Sequence, residues 1–254
     1  MIFIYILITF IATVIGSISG LGGGIMIKPA LDLVGFHTLT DINFLSSCSV
    51  FVMALYSTYK QVKSGVSINF KLISIISIGS IIGSKIGNVA FSSSIDAFGQ
   101  GTIQRFQSLA LVILLVFVFV TVRKRWQLFE IKHPLVIALV GLVLGSFSAF
   151  LGIGGGPINV AVYMLFFSVD IKVASIFSLA SILFSQGPNL LFTYMNNGFK
   201  IYDISYLIYM IPVSIIGASV GTYFNRKLPA LSIERIFSIT VLTLILLNSY
   251  NFIK

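Results

Sequence analysis

Long apolar runs of about 14 to 25 residues follow one another along the whole chain, and short polar stretches separate them. The run from Leu109 to Val122, LALVILLVFVFVTV, shows no alternation of polar and apolar positions. Continuous runs of this kind are typical of membrane helices, whereas barrel strands alternate. The pattern therefore predicts an all-α fold. The ten predicted segments are about 2–19, 23–36, 43–59, 67–90, 106–122, 134–151, 155–168, 172–196, 202–224 and 233–253.

The amino-acid composition indicates that these segments are the membrane helices of an integral membrane protein. The chain is 57% hydrophobic and only 9% charged, with a mean hydropathy of +1.06. A soluble domain carries about 25% charged residues, so a water-soluble globular fold is excluded. Each crossing needs about 20 residues, and 254 residues with short loops allow roughly ten crossings.

Three short motifs recur in the same order at nearly constant offsets of 130 to 134 residues, which predicts an internal duplication. The matched segments are 20–24 with 152–156, 80–83 with 214–217, and 103–106 with 233–236. The stretch between the halves is the most charged part of the chain. We therefore predict a first membrane repeat over 1–122, a basic cytoplasmic linker over 123–133 and a second membrane repeat over 134–254.

Five segments per half predict an inverted repeat, because an odd number of crossings turns the second half over. Segments 23–36 and 155–168 are short, about 21 Å against a hydrocarbon core of about 30 Å. If all ten segments cross and the linker is cytoplasmic, eleven of the sixteen Lys and Arg lie inside. If the two short segments only dip into the membrane, nine lie inside. The positive-inside rule favours ten crossings, with both termini outside.

The two Gly-rich motifs are the first candidates for a binding site. Non-helical backbone at membrane depth must line a cavity or be buried in protein. The helix that follows each motif begins with free amides and a positive dipole end, which suits an anion. Breaks at corresponding positions of two halves point to a transporter's site. Close helix packing is the alternative reading. The candidate backbone residues are Gly22, Gly23, Gly24, Gly154, Gly155 and Gly156.

These motifs resemble the TauE/SafE sulfite exporter family of membrane permeases. The resemblance rests on G-L-G-G-G in the first half and G-I-G-G-G-P in the second, and it extends over nearly the whole chain. Pro29 follows the first motif, whereas the equivalent position is Ala161 and Pro157 directly abuts the second motif. The resemblance implies transport of small sulfur-containing anions, such as sulfite and organosulfonates, across the bacterial inner membrane. It also implies that Gly20 and Gly152 belong to the motifs.

Lys28 and Asp32 are ionisable residues one helical turn apart inside a short segment. Placing a charged side chain within the bilayer costs free energy, so a charged residue there indicates a functional role. Lys28 could pair with an anionic substrate, and Asp32 could carry a proton. The alternative is an i,i+4 ion pair near the membrane surface.

Polar uncharged side chains inside apolar segments form a further group of candidates. Ser47, Asn159, Gln186 and Asn189 could hydrogen-bond the oxygens of a sulfur oxyanion. Hydrogen bonding between helices is the alternative role for such groups. Segment eight also carries Ser178, Ser181 and Ser185 on one face.

The pattern favours a secondary transporter of small anions that works by alternating access between the repeats. An anion channel, or a transporter of another small organic anion, is the alternative. An enzyme is disfavoured, because one cysteine and two loop histidines offer neither a nucleophile with its base nor a metal site. We expect no cofactor, no metal and no nucleic-acid partner. Proton coupling and oligomerisation stay open.

Overall fold

The computed structural model describes residues 1–66, 68–151, 155–198 and 202–253, and within these the fold is helical with no strand. The all-α prediction is confirmed, and the helices lie over the predicted segments. Within the described ranges, eight helices are long and apolar enough to cross a membrane, whereas α2 and α7 have 11 and 12 residues. The helices are α1 (Ile2–Ser19), α2 (Gly24–Val34), α3 (Leu39–Lys63), α4 (Phe70–Phe98), α5 (Gln100–Arg123), α6 (Pro134–Leu151), α7 (Gly156–Phe167), α8 (Ile171–Asn197), α9 (Leu207–Lys227) and α10 (Ala230–Ile253).

Side-chain caps define where three of the long helices begin. Thr38 Oγ1 accepts a hydrogen bond from the Asp41 amide, and Asn69 Oδ1 accepts one from the Leu72 amide. Asp170 Oδ1 accepts from the first amides of α8. Such caps satisfy amides that have no partner within the helix.

The helices pack in a crosswise pattern. The first helix, α1, packs against α9, and α4 packs against α6. In the same way α3 packs against α8, and α5 packs against α10. Each of these four pairs joins a helix from before the 123–133 stretch to a helix from after it, so the two parts of the chain form one body.

Glycines bring α4 and α6 into close contact. Gly79, Gly83 and Gly87 recur every fourth residue, and a Cβ on any of them would overlap a backbone carbonyl oxygen of α6. Gly217 and Gly221 lie against α1, where a Cβ would overlap the Thr13 hydroxyl and the Val14 carbonyl oxygen, respectively. Small residues at such spacing let membrane helices approach closely. These glycines therefore serve helix packing.

We expect Gly83→Leu to destabilise the protein by about 1–3 kcal/mol or more, because the new side chain would meet the Leu142 carbonyl across the α4–α6 contact. Thermal unfolding in detergent would measure this as a lowered Tm. The matched control is Ile82→Leu at the neighbouring exposed position, which should leave the Tm nearly unchanged. Equal Tm values for the two variants would contradict the packing role.

One face of the bundle carries the ends of helices from both parts of the chain; we call it the His37 face. Tyr5 Oη and His37 Nδ1 share a hydrogen bond of 2.6 Å, and His37 Nε2 lies 3.3 Å from an Asp203 carboxylate oxygen. Hydrogen bonds from the Ser205 side chain and backbone lower the pKa of the Asp203 carboxyl. The start of α1, the α2–α3 loop and the α8–α9 loop therefore lie together.

The opposite face, which we call the basic face, holds the 123–133 stretch. The buried carboxylate of Glu234, in the first turns of α10, lies 3.4 Å from Arg123 and 3.0 Å from Arg125. The Lys172 ammonium, at the start of α8, donates to the Arg226 carbonyl at the end of α9. The end of α5, the start of α8, the end of α9 and the start of α10 therefore share this face.

Candidate functional site

The chain between α1 and α2 forms the first break. Gly20 and Gly22 have φ of 75° and 72°, a left-handed conformation that favours glycine, so the helix stops and the chain turns back. Gly23 lies against α1, since a Cβ there would meet the Ala12 carbonyl oxygen at 3.3 Å. Helix α2 therefore starts from inside the bundle rather than at its surface.

The second break meets the first. A Cβ on Gly156 would overlap the carbonyl oxygen of Leu21, so the two motifs are in backbone contact. The Ser178 hydroxyl lies 2.6 Å from the Gly20 carbonyl oxygen and 3.3 Å from that of Gly156, and donates to this pair. Gly155 has φ of 85° and is the N-cap residue of α7. Gly152 and Gly154 lie outside the described residues.

A cavity of about 460 Å³ opens beside this contact. It is bounded by residues of α2 to α8 and is rich in hydroxyl, amide and amine groups. No Asp or Glu is among its lining residues in the part of the chain that the structure describes. Its polar side chains are Lys28, Asn43, Ser47, Ser77, Ser80, Ser84, Lys85, Asn88, Gln107, Ser148, Asn159, Ser181, Ser185, Gln186 and Asn189.

A small pocket of about 20 Å³ lies between the first glycine break and helices α3 and α8. Gly22 and Gly24 line it, together with the hydroxyl-bearing Ser46. Lys28, Ser47 and Gln186 line both this pocket and the large cavity, so the two spaces adjoin. A pocket of this size has room for about one water molecule.

Lys28 is the basic residue nearest the breaks in sequence, and its partly buried side chain lines both spaces. No salt bridge joins it to Asp32 among the described residues, so the ion-pair alternative is wrong for this structure. Asp32 is exposed and does not line the cavity. The amine therefore faces a polar space that has no carboxylate to balance it.

The polar residues that the sequence analysis proposed for the site lie around one cavity. Ser47 of α3, Asn159 of α7, and Gln186 and Asn189 of α8 all line the large cavity. The side-chain oxygen of Gln186 is buried and accepts no hydrogen bond within the described residues. Ser181 and Ser185 join this wall, whereas Ser178 binds the glycine carbonyls.

The glycine candidates divide between lining and packing. Gly155 lines the large cavity, and Gly22 and Gly24 line the small pocket. Gly23 packs on α1 and Gly156 packs on Leu21. Some of the described motif glycines therefore line the cavity or the pocket, whereas others pack against neighbouring backbone.

Sequence reasoning missed the wall that α4 contributes. Ser77, Ser80, Ser84, Lys85 and Asn88 all line the cavity. Their signal was present, because the glycines of α4 recur every fourth residue and the polar residues occupy other faces of the same helix. Choosing between those faces required knowing that the glycine face packs on α6.

A bundle of apolar helices around a polar, cationic cavity defines a multi-pass membrane protein of the transporter class. The chain matches the family of the sulfite exporter TauE/SafE over residues 5–247 of 254. It belongs to this family, whose description implies a membrane exporter of sulfite or a related sulfur anion. No curated protein matches the chain.

Proposed function

We propose that this chain is a secondary transporter of sulfite or an organosulfonate and that it resides in the bacterial inner membrane. The observation that carries the proposal is the charge of the cavity. Lys28 and Lys85 line it, and no carboxylate does so in the described residues. A space of this kind favours an anion, because an anion offsets the cost of holding the partly buried Lys28 ammonium within the membrane.

The neutral lining suits a sulfur oxyanion in particular. Such an anion presents several oxygens that accept hydrogen bonds, and the hydroxyls of Ser47 and Ser77 and the amides of Asn159 and Gln186 can donate to them. Ser77 Oγ is buried with no hydrogen-bond partner in the described residues. Donors of this kind bind an oxyanion without adding fixed charge.

The distribution of helix ends supports ten crossings. If α2 and α7 only dipped into the membrane, Lys172 and Arg235 would lie on the face opposite the 123–133 linker. Instead Glu234, beside Arg235, binds Arg125 of the linker, and Lys172 contacts the end of α9 on that same face. The topology we infer has the basic face in the cytoplasm.

The packing supports an inverted repeat of residues 1–122 and 134–254. In that scheme α1 is equivalent to α6, and α4 is equivalent to α9. Exchanging the two repeats turns the α1–α9 contact into the α6–α4 contact, and the structure has both contacts. The pairs α3–α8 and α5–α10 map onto themselves. Such pairing is expected of two copies related by a two-fold axis, and an odd number of crossings in each copy would place that axis in the membrane plane.

Polar contacts close the site towards the basic face. Asn225 Nδ2 donates to the Ile18 carbonyl at 2.7 Å and to Ser175 Oγ at 3.1 Å, and Gln61 Nε2 donates to Asn225 Oδ1 at 3.0 Å. The cavity lies further along α8 and α4, towards the opposite face. We infer an outward-open state of an alternating-access cycle rather than a continuous pore.

Cysteine labelling tests the topology. In a Cys48→Ser background, we expect Lys124→Cys and Lys227→Cys to react with an impermeant maleimide from the cytoplasmic side only. Ile204→Cys, at an exposed position of the α8–α9 loop, should react from the opposite side. Lys227→Cys and Lys124→Cys reacting from different sides would contradict ten crossings.

Ligand-dependent stability tests the function. We expect sulfite or an organosulfonate to raise the Tm of the purified protein. At a ligand concentration a hundredfold above Kd, binding stabilises the folded state by about 2.7 kcal/mol. The screen compares sulfite, sulfate, thiosulfate, taurine, isethionate and sulfoacetate, with chloride at equal ionic strength as the control. If folded, monodisperse protein responds to none of these anions, the proposed substrate class is wrong.

A further inference from the structure

The small pocket beside the first glycine break lies at the N-terminus of α2. It measures about 20 Å³, and Gly24 and Ile25 of α2 line it together with Ser46 of α3. The Met26 amide donates to the carbonyl of Gly23, the N-cap residue. The amides of Gly24 and Ile25 come before this bond and, as the first amides of a helix, have no acceptor within it. This end of the pocket therefore offers backbone donors to a ligand.

Ser46 adds a side-chain donor to the same pocket. Its side chain is fully buried, and its hydroxyl oxygen has no hydrogen-bond partner in the part of the chain that the structure describes. The hydroxyl lies close to the start of α2, because a Cβ on Gly24 would meet Ser46 Oγ at 3.4 Å. A buried hydroxyl without a partner destabilises a fold, so its presence points to a ligand or a water molecule.

The internal repeat provides a comparison for Ser46. Ser178 lies 132 residues further along the chain, which is the offset between the two Gly-rich motifs. The Ser178 hydroxyl donates to the carbonyls of Gly20 and Gly156, whereas Ser46 makes no such bond to any described residue. The two serines therefore differ in role, since Ser178 joins the breaks and Ser46 keeps its hydroxyl available to the pocket.

The pocket is too small for a whole sulfur oxyanion, but it fits one atom of such an anion. A volume of about 20 Å³ holds about one water-sized group, whereas sulfite has a sulfur and three oxygens. Lys28 and Gln186 line both the pocket and the large cavity, so the two spaces adjoin. An anion in the large cavity can therefore extend one oxygen into the pocket while its charge stays beside the Lys28 ammonium.

We propose that the small pocket holds one oxygen of the transported anion and that Ser46 binds this oxygen by donating a hydrogen bond to it. The inference rests on the proposed function and adds a binding residue to its site. The oxygen also accepts from the first amides of α2, while the rest of the molecule lies in the large cavity. Because the pocket has room for little more than this atom, it requires an unsubstituted oxygen on the bound group.

Two substitutions at Ser46 separate a ligand contact from a structural hydroxyl. Ser46→Ala removes the donor and should weaken sulfite binding about tenfold, as expected for one hydrogen bond to a charged group. Ser46→Thr keeps a hydroxyl but adds a methyl group to a pocket with room for about one water molecule, so it should weaken binding further. A structural hydroxyl would give the opposite order. Calorimetric titration of the purified proteins with sulfite at constant ionic strength measures each Kd.

Two further serines serve as matched controls. Ser49 lies one turn further along α3, is equally buried and also has no hydrogen-bond partner in the described residues, but it lines neither space. Ser49→Ala should therefore keep wild-type affinity. Ser178→Ala should lower the Tm, because the Gly20 and Gly156 carbonyls lose their donor. Ser46→Ala should leave the Tm unchanged or raise it, since no bond within the protein is lost.

The outcomes separate this inference from the proposed function. Sulfite binding by the wild type with unchanged affinity in Ser46→Ala and Ser46→Thr would show that the pocket holds only a water molecule. That result, or wild-type affinity in Ser46→Thr alone, would overturn the inference and leave the proposed function standing. If Ser46→Thr does not fold, the comparison of Ser46→Ala with Ser49→Ala decides. Failure of every sulfur anion to bind the folded wild type would overturn both.

Discussion

Gly156→Val is expected to prevent correct folding or to lower stability by about 3 kcal/mol or more. The carbonyl oxygen of Leu21 occupies the position that any Cβ on Gly156 would need, and both partners are backbone. Ser178 also holds the carbonyls of Gly20 and Gly156 together, so the backbone cannot move apart without losing these hydrogen bonds. Overpacking typically costs about 1–3 kcal/mol, and a clash between two backbones lies at or above the upper end. Size-exclusion chromatography and thermal unfolding in detergent would measure the loss.

The matched control for this prediction is Gly24→Ala at the corresponding position of the first motif. A Cβ there would meet Val50 Cγ2 at 3.3 Å and Ser46 Oγ at 3.4 Å, contacts that small side-chain shifts can relieve. We expect a much smaller change in Tm. A Gly156→Val protein that folds with the wild-type Tm would show that the two motifs are not in contact.

Lys28→Gln is expected to weaken binding of sulfite and of organosulfonates by about 10- to 100-fold. Hydrogen bonds to charged groups contribute about 1.5–3 kcal/mol, and 1.4 kcal/mol is a factor of ten. The loss of affinity should lie near the upper end of this 10- to 100-fold range. The Lys28 amine forms no salt bridge in the described residues and is partly buried beside the glycine break. Calorimetric titration of the purified variant would measure the change in Kd.

Two variants control for charge and for shape. Lys71→Gln removes an equal charge from an exposed position and should retain wild-type affinity. Lys28→Arg keeps the charge with a different head group and should retain part of the affinity. Unchanged sulfite affinity in Lys28→Gln, with wild-type stability, would remove Lys28 from the site.

The helices themselves were largely predictable from the sequence, because apolar length alone marks a membrane segment. Segments one and six agree with α1 and α6 at both ends. The boundaries that differ lie in polar sequence. Helix α5 begins at Gln100 rather than near 106, although its first turns are polar, and Ile103 is buried there. Hydropathy shows the part of a helix that lies in lipid, whereas capping and packing extend the helix beyond it.

The candidate site was predictable where a residue contradicts its apolar surroundings. Lys28, Gln186 and the triple glycines stand out for that reason, and Lys28, Gln186 and the described glycines of the two motifs contribute to the cavity or to the breaks. Lys85 and Asn88 did not stand out, since α4 carries many small and polar residues and its lining face depends on contact with α6. The contact between Gly156 and Leu21 is a tertiary property that neither motif encodes alone.

The central claim is that a polar cavity beside the contact of the two glycine breaks carries sulfur anions across the membrane. Counterflow of radiolabelled sulfite into proteoliposomes preloaded with unlabelled sulfite tests it most directly. We predict saturable uptake by the wild type and by Lys71→Gln, and uptake near that of empty liposomes for Lys28→Gln. Absence of flux for sulfite and for every sulfonate tried, with reconstituted protein shown to be folded, would contradict the claim, as would equal flux in Lys28→Gln.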